Sequence, residues 1–177
     1  MFSTDKIGHG YLPIYMGICA ELTAKTQTTF GSPVRLLEVG VANGEGLVMF
    51  AHLLPHAQLW GVDVNERAVW PEGTHRVVGR QEDPGLRDRL PSQFSIIIDD
   101  ASHNNDLTTR TFENLWDLVV PGGFYVIEDW NHAGGLIREL AKELVDCFHE
   151  AQPLYQLVDS IVYRHGLIIV RKKACDA

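Results

Sequence analysis

The chain has 177 residues, 45% of them hydrophobic and 21% charged, a globular composition with enough sequence for one core. Its formal charge of −8 leaves no basic footprint for a polyanion, which argues against nucleic acid as a partner. No apolar run is long enough to cross a bilayer, and the opening Met1–Tyr11 has neither a basic nor an apolar leader region, so no membrane partner and a cytoplasmic location are expected.

One domain is expected, with residues 1–30 as an N-terminal helical or lid segment and 31–177 as the core. Within the core, apolar runs bounded by Gly, Pro and Asp alternate with segments of helical period, the pattern of βα units that build a parallel sheet. Strands are predicted at Val34–Val39, Gln58–Val62, His75–Val78, Phe94–Asp99 and Phe124–Glu128. Helices are predicted at Gly44–Leu54, Gly85–Leu90, Asn105–Leu118 and Leu136–Glu150. At the C-terminus, Ser160–Tyr163, a polar turn at Arg164-His165-Gly166, and Leu167–Arg171 read as a β-hairpin. Cys19, Cys147 and Cys175 lie far apart without metal-ligand spacing, so neither a disulfide framework nor a zinc knuckle is expected. The whole reads as a doubly wound, Rossmann-like α/β fold: a mostly parallel seven-stranded sheet closed by an antiparallel hairpin. That arrangement resembles class I methyltransferases.

The segment Glu38-Val39-Gly40-Val41-Ala42-Asn43-Gly44-Glu45-Gly46 runs from a buried strand straight into a helix, where glycine permits a sharp turn and close backbone approach to a ligand. It resembles the E/D-x-G-x-G-x-G loop of methyltransferases, with Ala42 at the place of the middle glycine. A carboxylate at Glu38 repels a pyrophosphate but suits the cationic end of S-adenosylmethionine, which disfavours a nicotinamide dinucleotide. Asp63 ends the second strand, nineteen residues beyond Gly44, a place suited to ribose hydroxyls. A turn or helix-capping role is the alternative for Asp63. Gln81, after the third strand, is the candidate adenine contact.

Strand four ends Asp99-Asp100-Ala101-Ser102-His103 and strand five ends Glu128-Asp129-Trp130. As sheet neighbours about 4.8 Å apart, these ends gather carboxylates that repel one another unless protonated or bound to a cation. Oxygen-only ligands point to Mg²⁺, with Mn²⁺ or Ca²⁺ as the alternatives. The I-I-D-D-x-S-H and Y-V-I-E-D strand ends resemble the metal-dependent sugar O-methyltransferases of the macrocin and mycinamicin type and their cephalosporin hydroxylase-like relatives. That resemblance implies Asp100, Glu128 and Asp129 as metal ligands and His103 as general base, with Asp99 orienting His103 or capping the next helix. His132 is the competing base.

The resemblance extends to Thr4-Asp5-Lys6 and His9-Gly10-Tyr11-Leu12-Pro13-Ile14-Tyr15, which look like the family's segment that folds over the cofactor. It places Tyr11 and Tyr15 at the cofactor, and Trp130 with them is a candidate for lining an acceptor pocket. Arg80 stands where these relatives tend to carry an acid, and the auxiliary N-terminal domain of the macrolide enzymes is expected to be missing. The function so implied is an S-adenosylmethionine- and Mg²⁺-dependent O-methyltransferase of natural product biosynthesis, acting on a sugar or glycosylated small molecule, with homo-oligomerisation open. A catechol-like O-methyltransferase and a non-catalytic cofactor-binding module are the alternatives.

Overall fold

The computed structural model describes residues 3–25, 33–131, 138–150 and 157–174. Strands β1 (Arg35–Val39), β2 (Gln58–Asp63), β3 (His75–Val78), β4 (Phe94–Asp99), β5 (Val119–Glu128), β6 (Val158–Arg164) and β7 (Leu167–Lys172) form one sheet in the order β3-β2-β1-β4-β5-β7-β6. The first five pair in parallel, and β7 runs antiparallel to both β5 and β6. This is the expected doubly wound sheet with its C-terminal hairpin.

Successive side chains of a strand point to opposite faces, and this alternation sorts the core into two layers. Leu36, Ile96, Ile98 and Val126 pack against Tyr15, Ile18 and Leu22 of α2 (Leu12–Lys25) and Leu47 and Phe50 of α3 (Glu45–Leu53). Leu37, Ile97, Tyr125 and Ile127 pack against Phe112 and Leu115 of α4 (Asn105–Leu115) and Leu140 and Leu144 of α5 (Arg138–Glu150). In α2 the buried residues Tyr15, Ile18, Cys19 and Leu22 follow helical spacing. Asn104 starts α4 by accepting from the backbone N–H groups of Asp106 and Leu107. A four-residue helix, α1 (Asp5–Gly8), precedes α2 and is capped by the Thr4 side chain.

Some boundaries differ from the sequence reading. β5 begins at Val119, five positions before the predicted Phe124, because Pro121-Gly122-Gly123 passes through the strand as an irregularity between the Phe94–Val119 and Ile96–Phe124 pairs. The predicted helix at Gly85–Leu90 is a 3₁₀ turn, Pro84–Arg89, which buries only Leu86. The predicted helix to Leu118 closes with a 3₁₀ turn at Trp116–Leu118. Leu136, the predicted start of the last helix, lies outside the described residues.

Candidate functional site

The carboxyl ends of β1, β2 and β4 enclose a cavity of about 240 Å³, lined by Val39, Gly40, Ala42, Asp63, Val64, Gln81, Asp100 and Ser102 among others. Such a crevice, beyond the strand ends where the strand order reverses, is the usual ligand site of an open α/β sheet. Gly40 is there out of necessity. At φ +94° an added Cβ would collide with the backbone carbonyl of Asp100 and with Ala101 Cα. Ala42, in the middle-glycine position, adopts φ +47°, so the turn keeps the left-handed conformation that glycine usually supplies. Gly44 closes the turn by donating its N–H to Val41 O at 2.7 Å.

Asp63 lines this cavity and also builds it. Its Oδ2 accepts from the N–H groups of Val41 at 2.9 Å and Ala42 at 2.8 Å, and its Oδ1 accepts from Asn65 N–H at 2.7 Å. Gln81 is likewise engaged at both ends of its amide, donating to Thr111 Oγ1 at 3.0 Å and accepting from Ser102 N–H at 3.2 Å. It thereby braces the loop that carries His103.

Alternation along the strands decides where each acid goes. Glu38 and Glu128 share the parity of Leu36 and Val126 and so face α1 and α2. There they meet a residue to which the sequence reading gave no role, Lys6, whose side chain is 1% exposed. The Lys6 ammonium lies 3.2 Å from Glu38 Oε1, 2.6 Å from Asp100 Oδ2 and 2.9 Å from Glu128 Oε1. Tyr15 donates its hydroxyl to the same Glu128 Oε1 at 2.5 Å, and Tyr11 donates to Asp129 Oδ1 at 2.6 Å. The tyrosine hydroxyls thus engage strand-end carboxylates, and neither tyrosine is among the residues lining the cavity. Glu38 lies beneath the loop, outside that lining, with its Oε1 so close to Gly46 that any Cβ there would overlap it.

Asp99 has the opposite parity. It is buried, accepts weakly from Ala101 N–H at 3.4 Å, and leaves Oδ2 without a hydrogen-bond partner. Of the two roles suggested by sequence, orienting His103 or capping α4, the second belongs to Asn104, and the Asp99 bond goes to the turn. Trp130 donates Nε1–H to Arg164 O at 3.0 Å and packs edge-on against Tyr163. His132 lies outside the described residues.

On the outer side of the acids, His103 Nε2 lies 3.9 Å from both Asp100 Oδ1 and Asp129 Oδ2. Asp100, His103 and Asp129 each offer a ligand atom within 4.8 Å of the others, all half-buried. His103 and Asp129 both adopt φ +52°. Together with Ala42, they make three of the four non-glycine residues with positive φ among those described. Backbone strain concentrated at strand ends marks a site held in a required geometry, because such residues cost about 1–3 kcal/mol each.

Charge in this cluster is unbalanced. Burial works against the Lys6 ammonium, but Glu38, Glu128 and Asp100 together hold its pKa well above the ordinary lysine value. One ammonium cannot offset two buried carboxylates and a half-buried one. Burial pushes Glu38 up to about 7 against the pull of Lys6. Burial and the neighbouring Asp100 push Glu128 up to about 8. Burial also raises Asp100. Glu38 Oε2 is buried without a hydrogen-bond partner. The two half-buried carboxylates Asp100 and Asp129, beside this negative charge, suit a divalent cation, with the His103 imidazole next to them.

No family model matches the chain. The demethylmacrocin O-methyltransferase of Streptomyces fradiae is 36% identical over 118 residues, 58% of this chain and 30% of that protein. The 8-demethyl-8-alpha-L-rhamnosyl tetracenomycin-C 2'-O-methyltransferase of Streptomyces olivaceus is 30% identical over 174 aligned residues, 80% of this chain and 46% of that one. The chain therefore spans less than half the length of these curated relatives. Among solved structures, the MycE methyltransferase of the mycinamycin pathway, in complex with Mg, SAH and mycinamycin VI, superimposes with a TM-score of 0.71 at 26% identity, covering 87% of this chain and 49% of that one. With its sheet order, hairpin and strand-end motifs, the chain is a domain of the class I S-adenosylmethionine-dependent methyltransferase fold that resembles the macrocin- and mycinamicin-type sugar O-methyltransferases.

Proposed function

We propose that the chain transfers a methyl group from S-adenosylmethionine to a hydroxyl of a sugar or glycosylated small molecule, with Mg²⁺ or Mn²⁺ at the acidic strand ends. The observation that carries this reading is the double position of Asp100, which lines the cavity beside the glycine loop and also belongs to the Asp100–His103–Asp129 cluster. A methyl donor in the cavity and an acceptor at the cluster would then meet at one residue. The names of the relatives, and the Mg, SAH and mycinamycin VI in the MycE structure, support the choice of cofactor, metal and acceptor class.

In this reading Gly40, Asp63, Gln81 and the 40–44 loop hold the cofactor, which supplies a methyl carbon already activated by its sulfonium. Asp100 and Asp129 would hold the cation, whose chemistry when bound would be to lower the pKa of an acceptor hydroxyl. Both Glu128 contacts fall on Oε1, and Glu128 lies outside the Asp100–His103–Asp129 cluster, so in this reading it serves the cation through Lys6 and Asp100 rather than as a ligand. His103 would hold the proton released by the acceptor hydroxyl when the bound cofactor gives up its methyl group and becomes a neutral thioether. Alignment of the two reactants supplies up to roughly 7–11 kcal/mol of such a barrier, and Tyr11 and Tyr15 hold the carboxylates in place for it. A small-molecule acceptor and a cytoplasmic setting belong to the same reading. Among the described residues no helix is long and apolar enough to cross a membrane.

Incubation with methyl-labelled S-adenosylmethionine and a panel of deoxysugar glycosides, vicinal diols and catechols tests this directly. Label should pass to sugar hydroxyls, stop with EDTA and return with Mg²⁺. Transfer to catechols alone would replace the acceptor class. Bound cofactor without transfer to any acceptor would favour a binding module.

A further inference from the structure

The acidic strand ends fall into two halves, and the division is made by a residue 94 positions away from Asp100. The inner half consists of Glu38, Glu128 and Asp100 Oδ2, around the Lys6 ammonium. The outer half consists of Asp100 Oδ1, Asp129 Oδ2 and His103 Nε2. Asp100 is shared, with one oxygen in each half. Local structure fixes Lys6 at this point. The Thr4 side chain accepts from Lys6 N–H, and Lys6 O accepts from Tyr11 N–H at 2.8 Å after the chain reverses at Gly10. The three polar tips of this segment, Lys6, Tyr11 and Tyr15, then all end on strand-end carboxylates. A lysine buried to this degree is rare unless paired, and here one ammonium has three carboxylate partners.

We propose that Lys6 is the resident counter-ion of the acidic strand ends, a positioning residue that turns Asp100 toward His103 and Asp129 and sets how strongly the outer half takes a divalent cation. The cation part of this inference rests on the function proposed above. The ammonium neutralises inner carboxylates that would otherwise draw the metal inward or repel one another. It also places a positive charge beside the incoming cation, so metal affinity is held below what the carboxylates alone would give.

The test compares the wild type with Lys6→Met, Glu128→Gln and the double variant, measuring metal-free melting in EDTA and Mn²⁺ binding by electron paramagnetic resonance. Lys6→Met should melt at a lower temperature without metal, bind Mn²⁺ on the order of tenfold more tightly, and gain more in melting temperature from Mn²⁺ than the wild type. Adding Glu128→Gln should return part of the metal-free stability lost by Lys6→Met, a non-additivity that marks charge neutralisation. If Lys6→Met does not fold in EDTA, folding of the double variant gives the same answer. Unchanged or weaker Mn²⁺ binding in a folded Lys6→Met protein would overturn the inference, as would strictly additive losses of stability. Non-additivity with no Mn²⁺ binding in any variant would uphold the counter-ion and sink the metal site, so the two ideas fail separately.

Discussion

Replacing His103 by alanine is expected to slow methyl transfer by roughly 10²–10⁴-fold, the usual contribution of a positioned general base, while S-adenosylmethionine binds as before. The separation of effects follows from geometry. The cavity is lined by Ser102 and Asp100 on this loop but not by His103, and the loop is fixed independently by the Gln81 bond to Ser102 N–H and by the Asn104 cap of α4. Alanine retains the Cβ, so the substitution leaves the backbone demand at φ +52° much as it was. Single-turnover rates with calorimetric cofactor affinities would check it. A variant that keeps full turnover would remove His103 from the reaction and turn attention to His132.

Gly40→Ala should have a larger and less selective effect. The new Cβ would occupy the space of the Asp100 carbonyl and the Ala101 Cα, at a φ that side chains rarely adopt. Neither neighbour is the free end of a side chain, so relief requires the β4 loop to move. That movement displaces Asp100, Ala101 and Ser102, all of which line the cavity. A loss of about 2–4 kcal/mol in stability, in line with overpacking plus backbone strain, and at least a hundredfold loss in cofactor affinity are expected. Denaturant melts and calorimetry read the two separately. Near-normal affinity would mean the cavity lies elsewhere or the loop is more compliant than its contacts indicate.

Much of the fold was legible because its signals are local. The parallel strands are short apolar runs ended by acids, and the hairpin is marked by Arg164-His165-Gly166. The misplaced start of β5 has a local cause too: Pro121-Gly122-Gly123 carries the signature of a break, and only pairing with β4 makes it an irregularity within a strand. At the site, the sequence identified the acids but not their division. Parity alone separates Asp99 from Asp100, and it sends Glu38 and Glu128 to the face of α1 and α2. That signal is present in the alternation of the strands themselves.

The partner of those acids was not legible. Lys6 sits in a stretch that the resemblance assigns to the segment over the cofactor without giving the lysine a role, and its burial depends on a chain reversal at Gly10 and on contacts made across the whole sequence. Asp63 and Gln81 illustrate a related limit. Their positions suggest ribose and adenine contacts; in the structure both line the cavity and also accept backbone N–H groups of the loops they brace. Residue type and spacing bring a side chain to a site, but competition among nearby donors decides what it holds.

The most direct test of the account is a calorimetric titration of S-adenosylmethionine into EDTA-treated protein, repeated with Mg²⁺ and with NAD as the comparison ligand. Saturable binding of S-adenosylmethionine and none of NAD is the predicted result, with the Mg²⁺ arm showing that the acidic strand ends accept the cation without displacing the cofactor. Absence of S-adenosylmethionine binding in both conditions, or preference for NAD, would contradict the assignment of the cavity beside Gly40 and Asp63 and with it the proposed reaction.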